Sequence, residues 1–245
     1  MKSLSKILLA TLLLGGTGYS YAKPHSSIAI TSASTEDRHL SGFRAVSVEG
    51  PFDVYITQGN TESVKVEAPA DVIGRILTEV KDGVLRVYSK RENWHWGNWW
   101  GNHKKMAVYV TAKDLNAIHL SGSGDVFFKQ GITTNSLKLS IVGSGDVTGS
   151  VNVKILESSI SGSGDMRLSG RADNSTVRVV GSGDFRARDL VTVNTAVHIS
   201  GSGDASINAS NKIDASVSGS GDIHYTGTAK NVSSSKSGSG DISRM

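Results

Sequence analysis

The sequence predicts an all-β fold: a parallel β-helix, or solenoid, of about 19–20 residues per coil, with an N-terminal capping segment containing a short helix. Three observations carry this expectation. The tetrapeptide Gly-Ser-Gly-Asp occurs seven times, ending at Asp125, Asp146, Asp165, Asp184, Asp204, Asp222 and Asp241, at intervals of 21, 19, 19, 20, 18 and 19 residues. A repeat of this length is one supersecondary unit that buries its apolar face only by stacking on its neighbours. Between copies, apolar and polar residues alternate in short runs, which is the period of a strand. The composition agrees: 28 glycines against 3 prolines, and no long apolar segment of 3.6-residue period.

Taken in order, the chain opens as an export signal. Lys2 and Lys6 precede an apolar run from Ile7 to Leu14, then small and polar residues lead to Ala22, so residues 1–22 read as a signal peptide cleaved after Ala22. The run is too short to be a permanent membrane anchor, and no other span follows. There is no cysteine, which removes disulfides, thiolate metal sites and a lipid-modified N-terminal cysteine. Loss of the two leader lysines reduces 26 basic residues to 24 against 22 acidic, a net charge of +2, which argues against nucleic acid as a partner.

Residues 23–42 are rich in Ser, Thr and Ala without a period and read as a flexible lead-in, with order beginning at Phe43. A single solenoid domain is expected over 43–245. Val46 and Val48 alternate with polar residues, Gly50-Pro51-Phe52-Asp53 makes a corner, and Val54 and Ile56 resume the alternation. Ile118 and Leu120 stand at the same offsets before Gly122–Asp125, and Val126 and Phe128 after it, so Gly50–Asp53 is a degenerate eighth copy.

The period breaks over 61–115. Strands are expected around Val64 and Val66, over Gly83–Ser89 and over Met106–Thr111, with helix-like spacing from Asp71 to Val80. Such a segment suits a cap, since the first coil of a solenoid otherwise offers bare backbone donors and acceptors. From 116 to 245 the coils are regular, with inward pairs Leu139 and Ile141, Val177 and Val179, Val197 and Ile199, Ala215 and Val217. Three strands and three corners per coil are expected. Asn135, Asn174, Asn194, Asn211 and Asn231 fall near the third corner, where stacked amides hydrogen-bond between coils. The last coil puts Ser234 and Lys236 at inward positions, leaving an open sheet edge that either frays or is covered by another chain, a second copy included.

Two features are candidate sites. Seven aspartates on one corner, about 4.8 Å apart, repel one another by about 0.9 kcal/mol per pair in a water-like dielectric. Either each carboxylate accepts N–H groups of its own turn, or the ladder binds calcium, whose hard oxygen ligands it supplies. A carboxylate pair for glycoside hydrolysis is a third reading, but a uniform corner is what structure produces. The calcium β-roll repeat differs, being nine residues long with Gly-Gly-x-Gly-x-Asp.

The second feature is the aromatic cluster Trp94, Trp96, Trp99 and Trp100, bracketed by His95 and His103, in a loop over 93–102. It either packs on the solenoid's end or contacts a glycan, protein or lipid partner. The two histidines lack a full zinc ligand set nearby.

With Gly-Pro-Phe-Asp53, Asp-Gly-Val-Leu-Arg-Val at Asp82–Val87 and Ser-Gly-Ser-Gly-Asp-Val at Ser121–Val126, the chain resembles the head GIN domain family, described as auto-transporter adhesins. The resemblance covers Phe43 to Met245. It implies a right-handed β-helical body in a bacterial envelope protein, located in the periplasm, at the cell surface or secreted, with no catalytic residues to carry over. No barrel-forming strands follow the last coil, so self-transport is not expected. The expected function is a non-enzymatic binding or adhesion surface without a cofactor, save calcium if the ladder takes it.

Overall fold

A computed structural model describes residues 33–90 and 106–245. The described chain is built almost wholly of strands: β1 (Ala33–Asp37), β2 (Ala45–Gly50), β3 (Asp53–Gln58), β4 (Ser63–Pro69), β5 (Ile76–Lys81), β6 (Val84–Ser89), β7 (Ala107–Ala112), β8 (Ala117–Gly122), β9 (Val126–Gly143), β10 (Val147–Gly162), β11 (Met166–Gly181), β12 (Phe185–Gly201), β13 (Ala205–Gly219), β14 (Ile223–Thr226), β15 (Asn231–Gly238) and β16 (Ile242–Arg244). Each of β9 to β13 pairs in parallel with the same stretch of the next coil, which is the parallel β-solenoid that the repeat predicts.

The alternation decides which side chains point in. Leu139, Ile141, Val177, Val179, Val197, Ile199, Ala215 and Val217 are all buried, as are Ile118, Leu120, Val126 and Phe128 at the corner offsets. Each fully buried aliphatic side chain contributes about 1.5–3 kcal/mol, so a stack of such pairs holds the coils together without disulfides. The three-corner expectation needs one correction. Strands β9 to β13 run 15–18 residues without interruption, so of the three corners only Gly-Ser-Gly-Asp ends a strand. At the other two the strand continues through the bend, in unbroken register between β10 and β11 and with a shift of register in the other pairs of coils.

Over 61–115 the structure resolves what the broken period conceals. The strands expected at Val64–Val66, Gly83–Ser89 and Met106–Thr111 are present as β4, β6 and β7. Strands β6 and β7 form a further coil whose β6 pairs in parallel with β2 (Val46↔Leu85) and β7 with β3 (Val54↔Val108). This coil lies on the opposite side of β2–β3 from β8–β9, so order along the chain and order in space differ. Antiparallel strands then close the end, β5 on β6 and β4 on β7, with β1 on β4. Antiparallel pairing ends the parallel stack because the added strands leave no coil-shaped edge to continue it.

The helix expected over Asp71–Val80 is reduced to a single 3-10 turn, Ile73–Arg75. The remainder is β5, because pairing with β6 satisfies the backbone of Ile76–Lys81 and the β-branched Ile76, Thr78 and Val80 suit a sheet. Likewise the lead-in expected over 23–42 contains β1, held by five register pairs to β4, so order begins before Phe43.

At the third corner Asn194 Nδ2 donates to Asn174 Oδ1 at 2.9 Å and Asn211 Nδ2 to Asn194 Oδ1 at 2.8 Å. Asn135 and Asn231 fall outside this ladder. The positions in register with Asn174 in the two preceding coils are Ile155 and Ser136, and Asn231 pairs with Lys212. At the far end β15 is exposed along its length, with Ser234 opposite Ala215 and Lys236 opposite Val217. Polar residues thus stand at inward positions where the stack ends, and Lys236 Nζ reaches Asp241 Oδ1 at 3.3 Å. An inward-facing charge discourages another strand from adding to that edge.

Candidate functional site

The corner is built from backbone before any side chain is considered. In each copy from Gly143 onward the serine and second-glycine N–H groups donate to the first-glycine carbonyl of the preceding coil, for example Ser182 N to Gly162 O at 2.9 Å and Gly183 N to Gly162 O at 3.1 Å. The two glycines are required for different reasons. Gly181 has φ +121, a conformation that L side chains rarely adopt, whereas Gly183 lies so close to the Gly164 carbonyl that an added Cβ would fall inside 3.0 Å. Gly50–Asp53 stacks in the same way: Gly124 N donates to Gly50 O at 3.1 Å and Val54 N to Asp125 O at 2.7 Å. The degenerate copy is real, with buried Phe52 where later copies have the second glycine.

The aspartates are offset by their neighbours, and not by their own turns as the sequence suggested. Oδ1 of Asp125 accepts the Asp146 N–H at 2.9 Å, and the same bond links Asp146 to Asp165, Asp165 to Asp184, Asp184 to Asp204, Asp204 to Asp222 and Asp222 to Asp241 at 2.7–2.9 Å. Parallel stacking places each carboxylate opposite the next coil's amide, and a charge-assisted bond there offsets the repulsion. Arg186 adds to this, its guanidinium reaching Oδ2 of Asp165 and, at 2.7 Å, Oδ2 of Asp184. Desolvation works against the Arg186 charge, but the two carboxylates outweigh it and hold it above the usual arginine range. Near the ladder's start Asp125 is pushed above the ordinary carboxylate range, first by burial and then by Asp146 and Asp53, while the Asp146 amide pulls the other way. Among the described residues no group of three or more His, Asp or Glu side chains is placed to hold a metal ion.

A second feature lies on the outward side of the strands that follow the corner. The residue two after each Asp forms one rung: Tyr55, Phe127, Thr148, Arg167, Arg186 and Ser206 in successive coils. Tyr109, Tyr55 and Phe127 stack along it, with ring centroids 5.3 and 5.2 Å apart, and Lys129 Nζ stands 5.7 Å from the Phe127 centroid. Beyond the rings a groove of about 480 Å³ opens, lined by Lys129, Thr148, Ser150, Arg167, Ser169 and Arg188 among others.

Coil length makes this groove. Three residues of β9, Lys129–Gly131, stand opposite Ser150 alone, and Ala187 and Arg188 of β12 stand opposite Leu168 alone. Strands β10 and β11 between them keep an unbroken short register. The 21- and 20-residue coils therefore bulge as walls around a floor of two 19-residue coils. The sequence reading did not identify these residues, although their signal is there: a basic residue two after Asp165 and Asp184, between longer intervals.

Trp94, Trp96, Trp99, Trp100, His95 and His103 lie outside the described residues. The strands on either side of that stretch, β6 and β7, pair with β2 and β3, with Tyr88 opposite Glu49 and Ala107 opposite Asp53. No helix among the described residues is long and apolar enough to cross a membrane.

Known proteins share this architecture. The chain is similar to a crystal structure from Bacteroides fragilis described as a "putative adhesin": identity is 28%, 87% of this chain and 97% of that one are covered, and the TM-score is 0.81. It shares its fold with a "putative adhesin" from Parabacteroides merdae (22% identity, 87% and 96% covered, TM-score 0.70). The fold recurs in a "putative lipid binding protein" from Parabacteroides distasonis (24%, 87% and 96%, TM-score 0.69). No curated protein matches. The family model described as "Putative auto-transporter adhesin, head GIN domain" matches residues 42–229, from just before Phe43 through the corners of the first six ladder aspartates, Asp125 to Asp222, and the chain belongs to that family.

Proposed function

We propose that the chain is an exported, non-enzymatic adhesion module of the bacterial envelope, presenting the outer faces of a rigid solenoid to a glycan or protein partner. One observation carries the reading: parallel coil-to-coil pairing from β9 to β13, in unbroken register between β10 and β11 and shifted only at local bulges elsewhere, fixes outward side chains at inter-strand spacing. Such preorganisation lowers the ordering cost of binding an extended partner. Family membership supports the adhesion role, and the leader over 1–22 supports export to the periplasm, the surface or the medium. The Trp94, Trp96, Trp99 and Trp100 stretch is a second contact, proposed from sequence because indoles concentrate binding energy.

The test expresses the full chain in a Gram-negative host, fractionates the cells and measures their attachment to immobilised envelope glycans and proteins. Export with attachment above that of vector-only cells, reduced when the four tryptophans become alanine, is expected. Retention in the cytoplasm, or export without attachment, sinks the proposal. Attachment unaffected by the tryptophan substitutions removes the tryptophan contact from it.

A further inference from the structure

We propose that the groove between the β9 and β12 bulges binds a carboxylate-bearing segment of an acidic polysaccharide, with Arg167, Arg188 and Lys129 as the groups that pair with the sugar acids. The inference rests on the adhesion reading above and gives it a ligand class. Three features of the groove argue for it.

The first is unspent charge. Arg186 is committed to Asp165 and Asp184, whereas no carboxylate lies within ion-pair distance of Arg167, Arg188 or Lys129 among the described residues. Arg167 and Arg186 nevertheless stand directly opposite each other on adjacent strands. The two carboxylates are taken up by Arg186, and an incoming anion would supply the partner that Arg167 lacks among the described residues. Among the described residues Arg188 Nη2 meets only Met245 Sδ, at 2.9 Å, a weak acceptor that a carboxylate would displace. Among the described residues that line the groove the one acid is Asp189.

The second is the floor. Thr148, Ser150 and Ser169 are short hydroxyl side chains suited to sugar hydroxyls. Leu168 beneath them is buried, and the other side chains that line the groove carry hydroxyl or charged groups. The third is shape. The walls stand three inter-strand steps apart, about 14 Å, so the trough accepts a chain crossing the coils instead of enclosing a single small anion. Arginine's planar fork matches a carboxylate in two parallel hydrogen bonds.

The experiment uses the full chain purified from the host that exports it, titrated by calorimetry with hexagalacturonate, with neutral maltohexaose and with phosphatidylglycerol vesicles. Hexagalacturonate is expected to bind, more weakly as salt rises, and maltohexaose is not. Arg167→Gln and Arg188→Gln should each weaken binding about tenfold, while Arg178→Gln, on another face, leaves it unchanged. Arg167→Lys should fall between, because it keeps the charge and loses the fork.

Absence of hexagalacturonate binding at low salt overturns the proposal, as does equal binding of maltohexaose. Binding indifferent to both groove substitutions also overturns it, as does engagement of the vesicles through Arg167 in place of the sugar. Circular dichroism melts of each variant identify any that fail to fold, in which case the competing effect of salt and of maltohexaose on the unmodified protein decides. Cells that attach while hexagalacturonate fails to bind contradict only the groove. Cells that do not attach while hexagalacturonate binds contradict only the adhesion reading.

Discussion

Alanine at Gly183 gives a direct test of how closely the coils stack. Its φ lies outside the region reserved for glycine, so the effect is one of space alone. The new Cβ would fall well inside 3.0 Å of Gly164 O and 2.9 Å from Ile160 Cγ2, where ordinary contact begins at 3.4 Å. The carbonyl belongs to a neighbouring coil and cannot swing aside as a flexible side chain would. The corner must instead recede by roughly an ångström, as in overpacked cores. That weakens three bonds between the coils: Ser182 N and Gly183 N to Gly162 O, and Asp184 N to Asp165 Oδ1. At about 0.5–1.5 kcal/mol each, the loss is on the order of 3 kcal/mol. For a domain of this size that lowers the melting midpoint by roughly 6–12 °C. Thermal melts followed by circular dichroism read it, with Gly74→Ala as control: Gly74 has open space within 4 Å and an ordinary φ, so its variant should melt with the unmodified protein or slightly above it. If Gly183→Ala melted within a degree of the unmodified protein, the coils would not approach as described.

Three further outcomes follow from the same corner and its ends. Asp125 is held above the ordinary carboxylate range in the folded state, so its ionisation costs stability at neutral pH, and the cost disappears as pH falls below the range of the unfolded carboxyl. Asp125→Asn, whose side-chain oxygen still accepts the Asp146 N–H, should therefore melt slightly higher at pH 7 and identically in acid; a gap that persists in acid refutes the electrostatic cause. Replacing Ser234 and Lys236 by valine extends the inward apolar stripe to the open end and should produce concentration-dependent association in sedimentation velocity, which a monodisperse monomer would contradict. Each ladder carboxylate from Asp125 to Asp222 already accepts an amide N–H, so millimolar calcium followed by chelator should leave the melting midpoint unchanged; a shift of several degrees would make the aspartates cation ligands.

Much of this molecule is legible without coordinates because its order is local and repeated. Glycines at fixed offsets mark every Gly-Ser-Gly-Asp corner, and two-residue alternation marks which side chains point inward. Even the degenerate Gly50–Asp53 copy could be found by the offsets of Val46, Val48, Val54 and Ile56 alone. The segment from Asp71 to Val80 misled for the opposite reason. Its apolar residues fit a helix when read locally, and only the unpaired edge of β6 beside it makes a strand the better solution.

What the tertiary structure alone decided are relations between coils. The aspartate ladder's hydrogen bonds cross from one coil to the next, so no single repeat contains both donor and acceptor. The β6–β7 coil sits before β2–β3 in space because parallel edges pair by register and not by position in the chain. The groove is a difference in length between neighbours, 21 and 20 residues flanking two coils of 19, visible as numbers in the sequence and as walls only once the coils are stacked. The sequence by itself determined what each coil is, since corners and inward faces depend on residues close together in the chain. What lies between coils depends on register, which stacking sets.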